Sequence, residues 1–532
     1  MPQGCDDHAP VDWSPVTSTA PGSVPRPAGH RPLSLPELAD LVGPVVDGAA
    51  GDIRISGVTL SSAEVQPGDL YAALPGARTH GARYAADAAE RGAAAILTDP
   101  AGRDEAAATG LPVCVVDDPR ALLGTVADRV YGEPSRRMRV LGITGTNGKT
   151  TTAYLVEAGL AAAGLGTGLI GTVQTRTRTR DDAGRETVTE VPSVRTTPEA
   201  PALHALLAEM ADDGVSAVVM EVSSHALVLG RVGGIRFAAA GFTNLGRDHL
   251  DFHTDLEDYF AAKAQLFDGR AERHLITVDD DAGRRLQVLR PDAGTVSIAA
   301  AADWSASDIT TAPGGGSTFT LHGPGGRSCP AAVRLPGRFN VANAVLAVAL
   351  LDAVGVDVET ALAGIADTVV PGRMEPVDAG QPFVAVVDYA HTPDAVATAL
   401  AALRDATAGR LITVLGCGGD RDPGKRPAMG TAAASASDVL IVTDDNPRSE
   451  DPAVIRAAMF DGVRAVPAAR RAEVHEVAGR RDALAVAVGM ARPGDTLLVA
   501  GKGHETGQEV DGTVHPFDDR DVLREVLAGS PA

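Results

Sequence analysis

The chain has 532 residues, with 47 Lys+Arg against 69 Asp+Glu and a formal net charge of -22. That balance argues against a nucleic-acid partner, and the length exceeds what a single hydrophobic core organises, so about three domains are expected. The four cysteines, Cys5, Cys114, Cys329 and Cys417, lie far apart with no Cys-x-x-Cys pair, which points away from a disulfide framework or zinc cluster and toward a reducing cytoplasm. No apolar run reaches the ~18 residues that a membrane span needs.

Residues 1–31 carry six prolines and little periodic hydrophobicity, and read as a disordered tail. A first α/β domain is expected over 32–136. It opens with a capped amphipathic helix at Ser34-Leu-Pro-Glu-Leu-Ala-Asp-Leu and continues through strands at Ile53–Val58, Asp69–Ala73, Ala94–Leu97 and Val113–Val116.

The second domain, 137–370, begins with a basic-apolar strand, Arg137–Leu141. That strand runs into Gly142-Ile-Thr-Gly-Thr-Asn-Gly-Lys-Thr-Thr151 and then a helix from Thr152. Strand, glycine loop and helix form a phosphate cradle. Backbone N–H groups at Gly145, Thr146, Asn147 and Gly148 face the phosphates, the helix N-terminus adds its positive dipole end, Lys149 supplies a cation, and Thr150, followed by Thr151, a hydroxyl for Mg²⁺. The glycine spacing departs from the usual P-loop, so an ordinary glycine turn is the competing reading. Strands at Ala217–Glu221, Ala238–Thr243 and His274–Val278 and a helix at Asn340–Leu351 follow. This strand-helix alternation implies a parallel sheet with ligands at the carboxyl ends of its strands.

A third, Rossmann-like α/β domain, 371–532, starts after the turn at Pro371-Gly-Arg. Its strands Phe383–Val387, Leu411–Leu415, Val439–Thr443 and Thr496–Val499 run into Asp388-Tyr-Ala-His-Thr-Pro, Gly416-Cys-Gly-Gly-Asp-Arg, Asp444-Asp-Asn-Pro-Arg and Ala500-Gly-Lys-Gly-His-Glu. Four charged, glycine-rich loops at strand ends make a second ligand face.

Together with Thr59-Leu-Ser-Ser62, Pro67-Gly-Asp-Leu, Thr196-Thr-Pro-Glu199, Glu221-Val-Ser-Ser-His-Ala-Leu and Thr243-Asn-Leu-Gly-Arg-Asp-His-Leu-Asp-Phe-His253, these motifs resemble the Mur ligases of peptidoglycan synthesis, from about residue 35 to about residue 530. The resemblance implies ATP-dependent amide formation through an acyl phosphate, with diaminopimelate added to a UDP-N-acetylmuramoyl-dipeptide. It also implies an enzyme that uses ATP and Mg²⁺; a monomer is expected, with the oligomeric state left open, and the cysteines place it in the cytoplasm. Lys149, Glu221, His249 and Lys263 take the catalytic positions, and Thr150, Glu221, His249 and Lys263 as a carbamate take the metal positions. Glu221 otherwise reads as an exposed carboxylate after a buried strand, and Lys263 as a solvated helix lysine. Asn340, Asn343, Arg373, Asp388 and His391 match nucleotide positions, although the asparagines also suit helix capping.

For the nucleotide-sugar substrate the resemblance implies Leu60, Ser62, Thr196, Thr197, Ser223 and Arg231. Ser61, Ala63 and Leu229 depart from common family residues, so hydrogen bonding around Leu60 and Ser62 must differ. For diaminopimelate it implies Arg421, Asp445, Asn446, Pro447, Arg448, Gly501 and Glu505, with Arg448 facing the distal carboxylate and Glu505 the distal ammonium. The meso and LL isomers stay undistinguished. Rival classes are a P-loop switch, a nucleotide-regulated binding protein and a folylpolyglutamate synthase. The last is disfavoured by the roughly 100 residues before the P-loop, about the length of a small domain.

Overall fold

The computed structural model describes residues 25–27, 29–47, 52–76, 78–181, 183–311 and 316–529. Three α/β units follow one another, each wound on its own sheet. Of the stretch read as a tail, residues 1–24 and 28 lie outside the described residues. The remainder is not tail-like. Arg26 donates to both carboxylate oxygens of Asp69 at 2.7 and 2.8 Å, and His30 Nε2 lies 3.0 Å from the Ser56 carbonyl while its ring packs edge-on against Tyr131. Asp69 is a buried carboxylate inside a strand and requires a cation. That demand is invisible in the composition of residues 1–31.

Ser34 caps the first helix, Leu35–Val42, in a reciprocal box: its hydroxyl accepts from Glu37 N, and Glu37 accepts from Ser34 N at 2.9 Å. The first sheet runs Val45–Asp47, Val113–Val115, Ala95–Thr98, Asp69–Ala73, Gly57–Thr59, parallel except for its Val45–Asp47 edge. The strand expected over Ile53–Val58 is broken at Ser56. Arg54–Ile55 pairs with Leu33–Ser34, and only Gly57–Thr59 joins the main sheet.

The central unit holds an 11-stranded sheet. Its parallel run comprises Thr167–Ile170, Ala217–Glu221, Arg139–Thr144, Phe237–Phe242, Ala271–Thr277, Gly294–Ser297 and Trp304–Thr311. Antiparallel strands extend it at both edges, which a purely parallel reading does not anticipate: the hairpin Gln174–Arg180 with Glu186–Pro192 at one, and Ser317–Gly323 with Arg327–Val333 at the other. The helix Lys149–Ala162 packs its Leu155 and Leu160 against Val345 and Leu351 of the helix Arg338–Ala353 and against Ile365 of Val358–Ile365, a buried layer over the parallel strands. Glu157 of the first of these helices is fully buried. It accepts from Thr167, Arg176 and Arg178 at 2.9, 3.1 and 3.1 Å, fastening the hairpin to the glycine-loop helix.

The third unit's sheet runs Glu375–Pro376, Val384–Asp388, Thr496–Ala500, Leu411–Leu415, Val439–Val442, Glu473–Glu476, parallel after its first strand. A separate hairpin, Gly507–Val510 with Thr513–Pro516, lies over one of its strand-end loops.

Candidate active site

The glycine loop is held in a shape that only glycine adopts easily. Gly145 has φ +147°, and a Cβ there would lie 1.8 Å from Thr243 Oγ1; Gly148 has φ +85°, and its Cβ would lie 2.4 Å from Asn343 Oδ1. No side chain caps the N-terminus of the helix Lys149–Ala162, so its first N–H groups are left for an anion. Elsewhere in the loop the N–H groups face protein: Thr146 N donates to the Asn244 carbonyl at 2.9 Å and Asn147 N to Asn244 Oδ1 at 3.0 Å. Lys149 folds back, Nζ donating to the Gly145 and Thr146 carbonyls at 3.0 and 2.8 Å, and burial lowers its pKa.

Around this loop the sheet and third unit converge. Glu221, at a strand end, is buried and not the exposed carboxylate of the alternative reading. Its Oε1 accepts from Thr172 N at 2.7 Å, and its Oε2 from the Thr150 and Thr172 hydroxyls at 3.1 Å each. Lys263 is 1% exposed and not a solvated helix lysine. Nζ donates to the Gly145 carbonyl at 2.7 Å and stands 4.3 Å from the Tyr259 ring centre. Burial, reinforced by the Lys149 charge, holds its pKa well below the ordinary lysine value, and a neutral amine is therefore accessible there. His249 has φ +54°, an uncommon conformation for a residue with a Cβ. Its side chain is 44% exposed; partial desolvation lowers its pKa, and the Lys149 and Lys263 charges act in the same direction. From the third unit, Arg373 reaches over the Tyr389 ring to place Nη2 3.4 Å from Thr150 Oγ1.

The asparagines do not cap their helix. Asn340 Nδ2 donates to the Pro336 carbonyl at 2.8 Å and Asn343 Nδ2 to Asn340 Oδ1 at 3.1 Å, which turns the Asn343 oxygen toward Gly148. Asp388 accepts from Met374 N and Ala390 N at 2.7 and 2.8 Å, and burial raises its pKa. His391 Nδ1 lies 2.8 Å from the Tyr389 carbonyl. Asn244, which holds the loop, and Thr172, which holds Glu221, were not given roles from sequence. Asn244 does carry the available signal, a polar residue just past the end of a buried strand.

A second region is a cleft of about 400 Å³ between the first two units, lined by Leu60, Ser61, Thr175, Val191, Arg195 and Glu199 among others. Leu60 is therefore at the cleft, whereas the Ser62 hydroxyl bonds to Asp87. Glu199 pairs with Arg231 at 2.7 Å and Arg195 at 2.6 Å. Arg231 Nη1 also donates to the Thr197 carbonyl at 3.2 Å. Thr197 Oγ1 donates to the Glu221 carbonyl at 2.8 Å and accepts from Ser223 N at 3.1 Å, and Thr196 Oγ1 lies 3.0 Å from Thr172 Oγ1. This chain of contacts leads from the cleft to the glycine loop.

The third region lies at the strand ends of the last unit. Arg448 also has a left-handed backbone, φ +53°, with Nη1 donating to the Gly419 carbonyl at 2.6 Å and Nε 3.3 Å from Glu509 Oε2. Asn446 Nδ2 donates to Glu505 Oε2 at 2.7 Å. Asp445 Oδ1 accepts from Asn446 N at 2.7 Å, and Gly501, φ +114°, leaves room for Asp445 Oδ2, which a Cβ would meet at 2.6 Å. The Pro447 carbonyl abuts Gly419, and Arg421 is exposed on the neighbouring loop. The hairpin missed from sequence fixes this loop: Arg448 N donates to the Glu509 carbonyl at 2.9 Å, Asp511 N to the Arg448 carbonyl at 2.7 Å, and Gln508 Nε2 to the Asp445 carbonyl at 2.5 Å.

Family comparison agrees with this architecture. Residues 54–131 match the Mur ligase family catalytic domain, 143–351 the Mur ligase middle domain, and 372–503 the Mur ligase glutamate ligase domain. A Streptomyces coelicolor protein named UDP-N-acetylmuramoyl-L-alanyl-D-glutamate--2,6-diaminopimelate ligase is 53% identical over 515 residues, covering 96% of this chain and 99% of the relative. A Corynebacterium glutamicum protein of the same name is 50% identical over 490 residues, covering 90% and 93%. A solved structure of a ligase with that name superposes with TM-score 0.68 at 30% identity, over 93% of this chain and 99% of the other. The folylpolyglutamate synthase of Mycobacterium tuberculosis shares the fold at TM-score 0.58 and 21% identity but covers only 73% of this chain. Three consecutive domain matches and relatives at this identity and coverage settle the assignment: the chain belongs to the Mur ligase family.

Proposed function

We propose that this chain joins diaminopimelate, in its meso form, to the D-glutamate γ-carboxylate of UDP-N-acetylmuramoyl-L-alanyl-D-glutamate, releasing ADP and phosphate. The observation that carries the reading furthest is the pairing of a cation, Arg448, and an anion, Glu505, on loops referenced to one hairpin. The distal end of diaminopimelate presents a carboxylate and an ammonium, and this pair is its complement. Domain limits of 32–136, 137–370 and 371–532 put the nucleotide sugar in the cleft at Leu60 and Arg195 between the first two units, ATP between the second and third, and diaminopimelate on the third. A monomer acting in the cytoplasm completes the reading; no helix among the described residues is long and apolar enough to cross a membrane.

The chemistry runs in two balanced steps. A substrate carboxylate oxygen attacks the γ-phosphorus, and the bond to the β-phosphate oxygen breaks to give ADP. The amine then attacks the acyl carbon, loses a proton, and phosphate leaves with the former carboxylate oxygen. Crowded negative charge is the obstacle, and Lys149 and Arg373 flank the loop where it accumulates. Asn340, Asn343, Asp388 and His391 shape the nucleotide side. Ser223, Thr196, Thr197 and Arg231 hold the sugar-peptide so that its carboxylate meets the phosphate.

The donors near Thr150 fit Mg²⁺: a hydroxyl and a carboxylate 3.1 Å apart in a buried polar site are hard oxygen ligands. Among the described residues no three His, Cys, Asp or Glu side chains gather into a ready-made cage. Thr150 would hold the ATP-bound ion, Glu221, His249 and a carbamate on Lys263 would serve as ligands of the metal pair, and the bound metal would neutralise phosphate charge. Carbamate formation from the neutral Lys263 amine and CO₂ replaces a cation beside Lys149 with an anion. The test is ADP formation by the purified chain with ATP, the UDP-muramoyl-dipeptide and diaminopimelate, omitting each in turn. Turnover is expected only with all three, and equal turnover without diaminopimelate refutes the proposal.

A further inference from the structure

Lys502 follows the strand Thr496–Ala500 and is fully buried, an unusual place for an ammonium unless its donors are matched. Here all three N–H positions have acceptors: Gly507 O at 2.6 Å, Asn446 Oδ1 at 3.1 Å and Glu505 Oε2 at 3.2 Å. The first ties the lysine to the start of the hairpin, and the other two tie it to the loop cluster assigned above to diaminopimelate.

The orientation of Asn446 follows from these contacts. Its amide oxygen accepts from both Lys502 Nζ and Glu509 N, the latter at 3.1 Å, so its amide nitrogen must face Glu505, where it donates to Oε2 at 2.7 Å. Glu505 therefore receives two donors on the same oxygen. Its side chain is 33% exposed, and Oε1 is the oxygen left to meet a ligand. An exposed glutamate normally loses rotamer freedom when it grips a cation; one pinned from two sides has already lost it. Arg448 is referenced to the same hairpin through the Glu509 carbonyl, so the two charged groups keep a fixed separation.

Resting on the proposed function, we infer that Lys502 is a positioning residue for amino-acid selectivity: it fixes Glu505 so that one carboxylate oxygen meets the distal ammonium of the incoming diamino acid. It touches no substrate itself.

The experiment compares meso-diaminopimelate with 2-aminopimelate, which keeps the distal carboxylate and lacks the distal ammonium, at saturating ATP and nucleotide sugar. In Lys502→Gln the KM for diaminopimelate is expected to rise about tenfold or more, while the KM values for 2-aminopimelate and ATP change less than about twofold. In a Glu505→Gln background the same substitution should add nothing, because the amide turns an N–H, not a carboxylate oxygen, toward the ammonium. Lys502→Met, which removes the ammonium and keeps the stem, should reproduce the selective rise and serves if Lys502→Gln does not fold. An unchanged diaminopimelate KM in the folded variants, or an equal rise for both acceptors, overturns the inference alone. A wild-type chain with no diaminopimelate-dependent ADP formation overturns the functional reading beneath it as well.

Discussion

Gly148→Ala tests whether the glycine loop is the nucleotide site, because the structure allows its cost to be worked out. Residue 148 sits at φ +85°, where a Cβ costs about 1–2 kcal/mol. The new methyl would also lie 2.4 Å from Asn343 Oδ1. Asn343 is buried and can withdraw only by giving up its 3.1 Å bond to Asn340, a further loss of about 1 kcal/mol. The sum, about 2–3 kcal/mol, corresponds to roughly 30- to 150-fold in affinity if it falls on the bound loop. Gly164→Ala is the control: it lies just past the other end of the same helix, has φ +77°, and has nothing within 4 Å of its would-be Cβ. Calorimetric titration with ADP, together with kcat/KM for ATP, should show the loss in the first variant and less than about twofold change in the second, whose site is remote. ADP affinity within about twofold of wild type in folded Gly148→Ala, against the loss worked out above, would refute the assignment of the loop.

Lys263→Ala should abolish turnover, with partial rescue by a short carboxylic acid; ¹³C-bicarbonate NMR should show a carbamate signal in wild type that the variant lacks, and full activity with only unmodified lysine would count against the modification. Arg448→Ala should lower kcat/KM for diaminopimelate by about 2–5 kcal/mol with little change in the KM for ATP. The wild type should prefer diaminopimelate over L-lysine by about 10⁴-fold or more, since lysine leaves the guanidinium without its carboxylate; steady-state kinetics with both amino acids decides this, and equal use of lysine sinks it. Arg480 is fully buried, donating to Asp519 at 2.7 Å from both Nε and Nη2 and to the Ala500 carbonyl at 2.9 Å. Arg480→Ala should therefore destabilise the third unit by about 3–5 kcal/mol, visible as faster proteolysis within 371–532, and wild-type resistance would show the pair to be dispensable.

The parallel strands were legible as short apolar runs that alternate with helices and end at turns. Asp69–Ala73, Ala217–Glu221 and Leu411–Leu415 fall where the pattern puts them. The edge hairpin Gln174–Arg180 was not, because alternating threonine and arginine give no apolar face; its arginines are held by Glu157, a partner far away in sequence. Motif residues were found by type and spacing, but their use was not. Only the fold reveals that the Lys263 ammonium lies against the glycine loop, that the Asp388 carboxylate is taken up by the backbone of Met374 and Ala390, and that Ser61 lines the cleft while Ser62 turns to Asp87. Lys502 stayed unnoticed because nothing local distinguishes a buried lysine from a solvated one. Its three acceptors come from two loops and a hairpin.

The most direct test of the proposed chemistry follows oxygen. With ¹⁸O in both positions of the D-glutamate γ-carboxylate of the nucleotide-sugar substrate, turnover with ATP and diaminopimelate should place one ¹⁸O in each phosphate released, as an acyl phosphate requires. Phosphate free of the label, with amide formed at the normal rate, would contradict the account.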